Sequence, residues 1–397
     1  MDNINAERVI KHFKGLFPTA LPKAVISVPG RTELGGNHTD HQGGRVLAGS
    51  VKMEMLAAAS PINNNEVYLH IRDNRSHRVV IDISQKTPLN HERGLPASLV
   101  RGVAAGLSHM GYRSGGFEAY IESVIPIGIG VSSSAAFEIL IGCIFSCLYN
   151  GGDVPLFDLA KAGQWAENRF YGKPCGLMDQ LACAHGGIAL MDFDNVEPHV
   201  ASIPNRFADS GYQLCLVNTG TGHENLTNEY ARIPEDMARV ARALGAQRLR
   251  DVKEEDYLKN GSYLRSMCGD RAFLRAMHFF GEMTRVGSMA SALIRNDFQR
   301  YLELVEESGR SSAEFLQNTY SICQPDSQPL TVGLSLSQRA LGEKGVCRIH
   351  GGGFAGAIQA YVPLEIYPQY QLQMGRVFGA GCCIPLELRD EGIVRVF

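Results

Sequence analysis

The segment PIGIGVSSSAA, at Pro126–Ala136, combines the residue types with which a chain binds phosphate. Its glycines allow the backbone to wrap around an anion, and three consecutive hydroxyl groups follow them. An apolar run then continues to Phe145 and predicts a helix, whose positive N-terminal end would point at the bound group. The spacing differs from the P-loop pattern GxxxxGK[ST] and no lysine follows the glycines, so a plain connecting turn is as well supported as a phosphate site. The residues that could contact phosphate are Gly128, Gly130, Ser132, Ser133 and Ser134.

Two further segments concentrate glycine and polar side chains. Near the N-terminus, PGRTELGGNHTDHQGG occupies Pro29–Gly44 and is dense in His, Asp, Asn and Arg. Near the C-terminus, RIHGGGFAG occupies Arg348–Gly356 and forms a second glycine-rich turn between apolar runs typical of strands. We call these segments the N-terminal motif and the C-terminal motif, and Pro126–Ala136 the phosphate loop.

Composition and charge exclude several classes of function. The 397 residues are enough for two domains of roughly 100–200 residues, and the net charge of −3 gives no basic field for nucleic acid. The longest apolar stretch is interrupted by Glu138, Gly142 and Ser146 and is shorter than the ~18 residues of a membrane span. The first residues, MDNINAERVIKHF, show no secretory signal, so we expect a cytoplasmic protein without a membrane partner. The ten cysteines lack CxxC spacing and are expected to be free thiols.

The spacing of apolar residues predicts an α+β fold. Alternation on either side of Asp73–His77 predicts a hairpin with one buried face. The other predicted strands are 117–124, 356–362 and 392–397, and the predicted helices are 132–149, 156–170, one after Pro234 and two or three within 272–317. The segment 195–209 holds two prolines and few long apolar runs. We therefore expect a boundary there, with an N-terminal domain at 1–205 and a C-terminal domain at 206–397.

Together, the three segments resemble the signatures of the GHMP kinase superfamily, and specifically of the galactokinases. The N-terminal motif is similar to GRxNLIGEHTDYNGG, the phosphate loop to PxGxGLSSSAA and the C-terminal motif to TGGGFGG, in the same order and at roughly the same spacing. CGLMDQ at Cys175–Gln180 and NTGTGHENLTNEYARIPEDM at Asn218–Met237 extend the resemblance over nearly the whole chain. It implies a two-domain GHMP kinase fold of the α+β class, with the active site in the cleft between the domains. It also implies that ATP and Mg²⁺ bind there and that a phosphoryl group is transferred to a sugar hydroxyl.

The resemblance assigns two residues to the transfer itself. Asp179 matches the catalytic aspartate of galactokinases, and Arg31 matches its arginine partner. An aspartate ionised beside an arginine is a weak base but a well-oriented acceptor for the proton of a sugar hydroxyl. Without the resemblance, Asp179 reads as a carboxylate bonded to local amides at a helix start.

The same resemblance implies a magnesium site. Ser134 and Glu167 match the magnesium ligands of the superfamily. Both offer the hard oxygen atoms that Mg²⁺ prefers, while the nucleotide phosphates and water supply the remaining ligands. The alternative to a magnesium ligand is that Glu167 is a solvated helix residue that pairs with Lys161 or Arg169.

Sugar contacts are implied mainly by the N-terminal motif, because a hexose is recognised by side chains that donate and accept several hydrogen bonds at fixed geometry. The matching residues are Asn37, His38, Asp40, Gly176 and Tyr230. The carboxylate of Asp40 is suited to accept hydrogen bonds from two neighbouring hydroxyl groups.

Two positions depart from the family pattern. His350 replaces the threonine of the C-terminal motif, which is expected to pack beside the phosphate loop. Asn37 replaces the glutamate that holds the C6 hydroxyl of the sugar. A glutamate there would repel a C6 carboxylate, whereas an amide can donate to either group. HTDHQGG also resembles the motif of plant galacturonokinases, so galacturonate is a rival substrate.

The predicted function is therefore that of an ATP-dependent kinase of the anomeric hydroxyl of D-galactose, with D-galacturonate as the alternative. A galactose and ATP sensor without turnover is a third possibility, because some relatives of galactokinases act in that way. Such sensors lack residues of the SSSA segment, which is complete here at Ser132–Ala135. We expect small-molecule partners only, and a monomer or a weak homo-oligomer.

Overall fold

The computed structural model describes residues 5–73, 76–220 and 226–397. Its helices are α1 Ala6–Leu16, α2 Pro96–His109, α3 Ser133–Tyr149, α4 Leu156–Ala166, α5 Met178–His185, α6 Thr227–Ala243, α7 Glu254–Lys259, α8 Gly261–Cys268, α9 Asp270–Ile294, α10 Phe298–Ser311, α11 Pro329–Leu341 and α12 Tyr367–Phe378. Its strands are β1 Ala24–Gly35, β2 Arg45–Pro61, β3 Glu66–Arg72, β4 Ser76–Asp82, β5 Phe117–Ser123, β6 Ile188–Asp192, β7 His199–Ile203, β8 Tyr212–Asn218, β9 Val346–Ile349, β10 Ala357–Pro363, β11 Cys383–Pro385 and β12 Val394–Arg395. A 3₁₀ turn at Asp40–Gln42 and a π-helical turn at Glu167–Tyr171 also contribute to the site. The predicted α+β class is confirmed.

Within the described residues, the strands form one sheet of eight and one of four. In the larger sheet, β2 pairs with β1 along one edge and with both β6 and β5 along the other. Strand β2 can pair with both β6 and β5 along the same edge because it is 17 residues long. The smaller sheet has the order β11-β8-β10-β9. The chain changes sheets between Ile203 and Tyr212, but β12 returns to pair with β1. The division at 205 stays a prediction.

Helix α3 runs through the interior and holds the phosphate loop in place. Its residues from Ala135 to Ser146 are all buried, and it packs against β1, α2, α4 and α5. A helix that is apolar on every side is stable only when it is surrounded by protein. The interpretation of this run as a core helix is therefore confirmed, and in the described part of the chain no helix has the length and apolarity to cross a membrane.

Most predicted elements are confirmed, with two corrections. The hairpin is β3–β4, although its residues 74 and 75 lie outside the described ranges. The helix expected after Pro234 begins earlier, at Thr227, and contains the proline. Ile233, Met237 and Val240 are fully buried along it, so packing outweighs the hydrogen bond that a proline removes. The last predicted strand is shorter than expected, because only Val394–Arg395 is a strand. The ten cysteines are free thiols, as expected.

The carboxylate of Glu282, on α9, connects this helix to the N-terminal motif. It accepts hydrogen bonds from the amide of Gly36 at 3.0 Å and from the hydroxyl of Ser308 at 2.6 Å, and it contacts the guanidinium of Arg285. Burial alone would raise the pKa of Glu282, but His278 and the neighbouring arginines outweigh burial and lower it to about 2. The ionised carboxylate is therefore part of the folded structure.

We predict that Glu282→Gln lowers the free energy of unfolding at pH 7 by about 3 kcal/mol, which corresponds to the change in pKa from 4.5 to about 2. A lowered folded-state pKa stabilises the protein above the unfolded value and loses this effect as the pH falls through the folded value. The difference between the variant and the wild type should thus shrink between pH 5 and pH 2. Denaturant unfolding over this range measures it, with the exposed Glu303→Gln on α10 as the control. A difference that stays constant with pH would contradict the assignment.

Candidate active site

The phosphate loop uses backbone conformations that favour glycine. Gly128 and Gly130 have φ angles of 84° and 85°, and Ser132 has a φ of 56°. Helix α3 begins at the next residue, so the first amide N–H groups of the helix lie at the end of the loop, where they have no partners within the helix. A Cβ atom on Gly130 would lie 2.8 Å from Nδ1 of His350. The C-terminal motif therefore packs against the loop, as predicted.

His350, at the position of the family threonine, joins the C-terminal motif to β1. Its Nε2 lies 3.0 Å from the hydroxyl of Thr32 and 3.4 Å from the backbone nitrogen of Glu33. Burial and the nearby arginines lower the pKa of His350 well below its ordinary value, so the ring is neutral. Although histidine replaces the family threonine, this position still connects the C-terminal motif to the N-terminal motif.

The predicted catalytic pair is in contact. Asp179, in the first turn of α5, accepts a hydrogen bond through Oδ1 from Nε of Arg31 at 2.9 Å, and Nη2 of Arg31 forms an ion pair with the same oxygen at 2.8 Å. Its other oxygen accepts a hydrogen bond from the hydroxyl of Ser132 at 2.6 Å. Nη1 of Arg31 donates to the carbonyl of Gly130. Arg31 therefore orients both the carboxylate and the phosphate loop.

The pKa values of two neighbouring carboxyl groups are shifted in opposite directions. Burial would raise the pKa of Asp179, but the charge of Arg31 and the hydrogen bond from Ser132 outweigh burial, and the pKa is lowered. The pKa of Asp40 is raised by burial and by the charge of Asp179. Of the two, Asp179 is the carboxylate that stays ionised more readily. Its oxygens can accept a proton or a hydrogen bond from a substrate.

Ser134 and Glu167 are also brought together, in a way that suits magnesium. The Ser134 hydroxyl donates to Oε1 of Glu167 at 3.3 Å, and the glutamate is only 1% exposed. Among the described residues, no group of three or more His, Cys, Asp or Glu side chains is arranged to hold a metal ion. Two protein oxygens beside a phosphate loop nevertheless fit Mg²⁺, which commonly takes few protein ligands and keeps water and phosphate oxygens.

The cation that pairs with Glu167 was not predicted from the sequence. Lys161 lies over the ring of Phe157 and Arg169 over the ring of Trp165, so the alternative pairings predicted for Glu167 are wrong. The actual partner is Lys173, whose ammonium lies 3.0 Å from Oε1 of the glutamate. The π-helical turn returns the chain towards the end of α4, so the two residues meet at a separation of six, which differs from the helical spacing of three or four.

Four of the five predicted sugar contacts line one region, where the N-terminal and C-terminal motifs approach. A Cβ on Gly176 would lie 1.6 Å from a carboxylate oxygen of Asp40, and a Cβ on Gly352 would lie 2.4 Å from the ring of Tyr230. The Tyr230 hydroxyl donates to the carbonyl of the next glycine of the C-terminal motif at 2.8 Å. Nε2 of His38 lies 3.0 Å from the carbonyl of Gly352.

The protonation of His38 follows from this contact. Burial and the neighbouring His41 lower its pKa to about 3, so the ring is neutral at physiological pH. Because a carbonyl can only accept, the proton is on Nε2 and the other ring nitrogen is an acceptor. His38 can therefore accept a hydrogen bond from a sugar hydroxyl through Nδ1.

Asn37 differs from the other predicted sugar contacts, because both the amide nitrogen and the oxygen of its side chain are hydrogen-bonded within the protein. The residue is 1% exposed, and its amide donates to the carbonyl of Gly351 at 2.5 Å and to the carboxylate of Glu33 at 3.2 Å. Its oxygen accepts from the hydroxyl of Ser312 and from the amide of Asn318 at 3.2 and 3.0 Å. These four contacts occupy both the donors and the acceptors of the Asn37 side chain. A sugar contact through Asn37 stays a prediction, but the argument from its amide to a C6 carboxylate loses its basis.

The sequence did contain a signal for this arrangement. The pattern GRxNLIGEH has asparagine and glutamate four residues apart, and GRTELGGNH has the two residue types exchanged, as Glu33 and Asn37. Glu33 is buried and forms an ion pair with Arg348 of the C-terminal motif. The exchange therefore places the carboxylate where it meets an arginine, and the amide bridges the carboxylate and the backbone.

We predict that Asn37→Glu lowers the free energy of unfolding by about 3 kcal/mol or more, because it buries a second carboxylate against Glu33. Glu33→Asn combined with Asn37→Glu should recover much of this loss, since it leaves one carboxylate in the network. Denaturant unfolding of the two single variants and the double variant gives the coupling. Additive effects would show that the two side chains do not interact.

Two family models match the chain at the segments that build this region. The model of the GHMP kinases N terminal domain matches residues 98–187, which include the phosphate loop, Glu167 and Asp179. The model of the galactokinase galactose-binding signature matches residues 11–61, which include the N-terminal motif.

Solved structures share the fold over nearly the whole chain. The structure of Lactococcus lactis galactokinase complexed with galactose has a TM-score of 0.81 at 21% identity and covers 97% of this chain and 98% of that one. The D-glycero-D-manno-heptose 1-phosphate kinase of Bacteroides thetaiotaomicron has a TM-score of 0.59 at 14% identity, over 94% and 99% of the two chains. The mevalonate kinase of Methanococcus jannaschii has a TM-score of 0.58 at 13% identity, over 94% and 96%. At such identities the likeness establishes the GHMP kinase fold. Both family models fall on the segments that build the site: residues 98–187 match the GHMP kinases N terminal domain, and residues 11–61 match the galactose-binding signature of the galactokinases.

Proposed function

We propose that the protein is an ATP-dependent sugar kinase that transfers the γ-phosphoryl group to the anomeric hydroxyl of D-galactose. The observation that carries this proposal is the position of Asp179, which bonds to Arg31 on one side and to Ser132 of the phosphate loop on the other. A carboxylate held there lies between a phosphate site and the residues proposed to bind the sugar. The galactose-binding signature at 11–61 supports galactose as that sugar.

Different residues would have different roles in the proposed phosphoryl transfer. The phosphate loop and the first turn of α3 would hold the phosphates by backbone N–H groups. Asp179 would orient the anomeric hydroxyl and accept its proton, while Arg31 would stabilise the charge of the transferring group. Ser134 and Glu167 would hold magnesium, which when bound supplies positive charge across the phosphates. His38, Asp40 and the other proposed sugar contacts, Gly176 and Tyr230, would fix the hexose so that its C1 oxygen faces the phosphate.

The alternatives have less support. Galacturonate was suggested by Asn37 and by the HTDHQGG segment, and the donors of Asn37 are hydrogen-bonded to protein groups. A sensor without turnover is disfavoured because Arg31, Ser132 and Asp179 are all present and in contact.

A panel of sugars tests the proposal. Galactose, galacturonate, glucose and N-acetylgalactosamine are each incubated with ATP, Mg²⁺ and the purified protein, and phosphorus NMR identifies the product. We expect galactose to give the highest kcat/KM and an anomeric phosphate ester as product. Preference for galacturonate would overturn the proposed substrate, and the absence of ATP consumption with every sugar would overturn the proposed activity.

We predict that Asp179→Asn, which is nearly isosteric, lowers kcat by at least ~100-fold, the scale for loss of an acid–base or orienting group. Binding of ATP should stay within a few-fold of the wild type, because Asp179 is not proposed to contact the nucleotide. Steady-state kinetics and calorimetric titration measure the two effects, with the exposed Asp209→Asn as the control. A variant that keeps more than a tenth of the wild-type kcat would remove Asp179 from the mechanism.

We also predict that Ser134→Ala raises the Mg²⁺ concentration needed for half-maximal rate, because one oxygen ligand is lost. Galactose binding without nucleotide should be unchanged. A magnesium titration of the rate measures the effect, and Ser335→Ala on the exposed side of α11 is the control. If the titration matches that of the wild type, Ser134 is a packing residue of the loop.

A further inference from the structure

Lys173 lies at the edge of the proposed metal site, in the turn between Tyr171 and α5. Its backbone N–H donates to the carbonyl of Glu167 at 3.0 Å, and its ammonium lies 3.0 Å from Oε1 of the same residue. The lysine side chain is 53% exposed, whereas that of the glutamate is 1% exposed. The backbone contact thus fixes the start of the half-exposed side chain, and the ion pair with Glu167 holds its end.

The carboxylate of Glu167 has donors on both oxygens. Oε1 receives the ammonium of Lys173 and the hydroxyl of Ser134, and Oε2 accepts from Nε2 of Gln180 at 3.1 Å. The same amide nitrogen donates to the buried Glu138 at 2.9 Å. The oxygen nearest to the phosphate loop is therefore the one that carries the ammonium.

An ammonium and a magnesium ion cannot share this oxygen at close range. Two cations repel each other, and a metal takes the lone pairs to which the ammonium donates. When Glu167 binds Mg²⁺, Lys173 must find another anion. The nucleotide phosphates would lie next to Ser134, which contacts the same oxygen, and a four-carbon flexible stem can reach a neighbouring anion.

We propose that Lys173 is a phosphate-binding residue, whose ammonium leaves Glu167 and contacts the outer phosphate groups of ATP when the nucleotide and the metal bind. This inference rests on the proposed function. It also supplies a cation that the phosphate loop itself lacks, since no lysine follows its glycines. In P-loop proteins a lysine of the loop takes that position, whereas here it comes from the turn after α4.

A different role for Lys173 predicts different binding. If the lysine only neutralises Glu167, then Lys173→Met should not weaken ATP binding without metal once Glu167→Gln has removed the charge to be neutralised. If the lysine binds phosphate, the same variant should weaken ATP even when no metal is present.

The test measures the dissociation constants of ATP and AMP by calorimetry on the full-length protein, in EDTA and again in Mg²⁺. In EDTA we expect Lys173→Met and Lys173→Gln, each added to Glu167→Gln, to weaken ATP by at least about tenfold relative to Glu167→Gln alone, the scale of one charge-assisted hydrogen bond. AMP binding should be unchanged, because AMP lacks the outer phosphates. Lys173→Arg should retain most of the affinity for ATP. Lys161→Met on α4 is the matched control and should bind both nucleotides like the wild type. Thermal unfolding verifies that each variant is folded.

Equal ATP binding in EDTA by Glu167→Gln with and without either Lys173 substitution would overturn the inference while leaving the proposed function intact. An equal loss of AMP and ATP would also overturn it, because the variant would then act on the loop and not on the outer phosphates. If the wild type itself binds no ATP in either buffer, the proposed function fails, and this inference fails with it.

Discussion

The ion pair between Arg31 and Asp179 joins three parts of the chain that are far apart in sequence. Arg31 comes from β1, Asp179 from the start of α5, and the same two side chains bond to Gly130 and Ser132 of the phosphate loop. Arg31 is 5% exposed, so its charge requires a partner. Loss of the Asp179 carboxylate would leave the buried charge of Arg31 without its partner. The pair that is proposed to act in catalysis is thus also in contact with the phosphate loop.

A second constraint is the close approach of backbone to side chain around the proposed sugar site. Gly176 leaves the space that the carboxylate of Asp40 occupies, and Gly352 leaves the space for the ring of Tyr230. At either glycine, a methyl group would overlap a side chain proposed to bind the sugar. The glycines therefore allow the polar groups of two motifs to converge, and the buried network of Glu33 and its partners holds the motifs at that separation.

The motifs could be predicted from the sequence because each has residue types and spacing that few other sites require. Arg31 and Asp179 are 148 positions apart, and only the resemblance to a family linked them before the structure placed them in contact. The side-chain network of Asn37 could not be predicted, because Ser312, Asn318 and Gly351 reach it only through tertiary packing. Lys173 was missed because its contact with Glu167 forms across an irregular turn. The start of α6 was misplaced because burial of its apolar face outweighed the usual effect of Pro234.

The central claim is that Asp179, held by Arg31, faces the hydroxyl that receives the phosphoryl group. A crystal structure of the protein with galactose and a non-hydrolysable ATP analogue tests it most directly. The account predicts that the C1 hydroxyl lies within hydrogen-bond distance of the Asp179 carboxylate, about 3 Å, with the terminal phosphate against Ser132–Ser134. A complex in which Arg31 and Asp179 keep their contact while the C1 hydroxyl points away from the phosphate loop would contradict it.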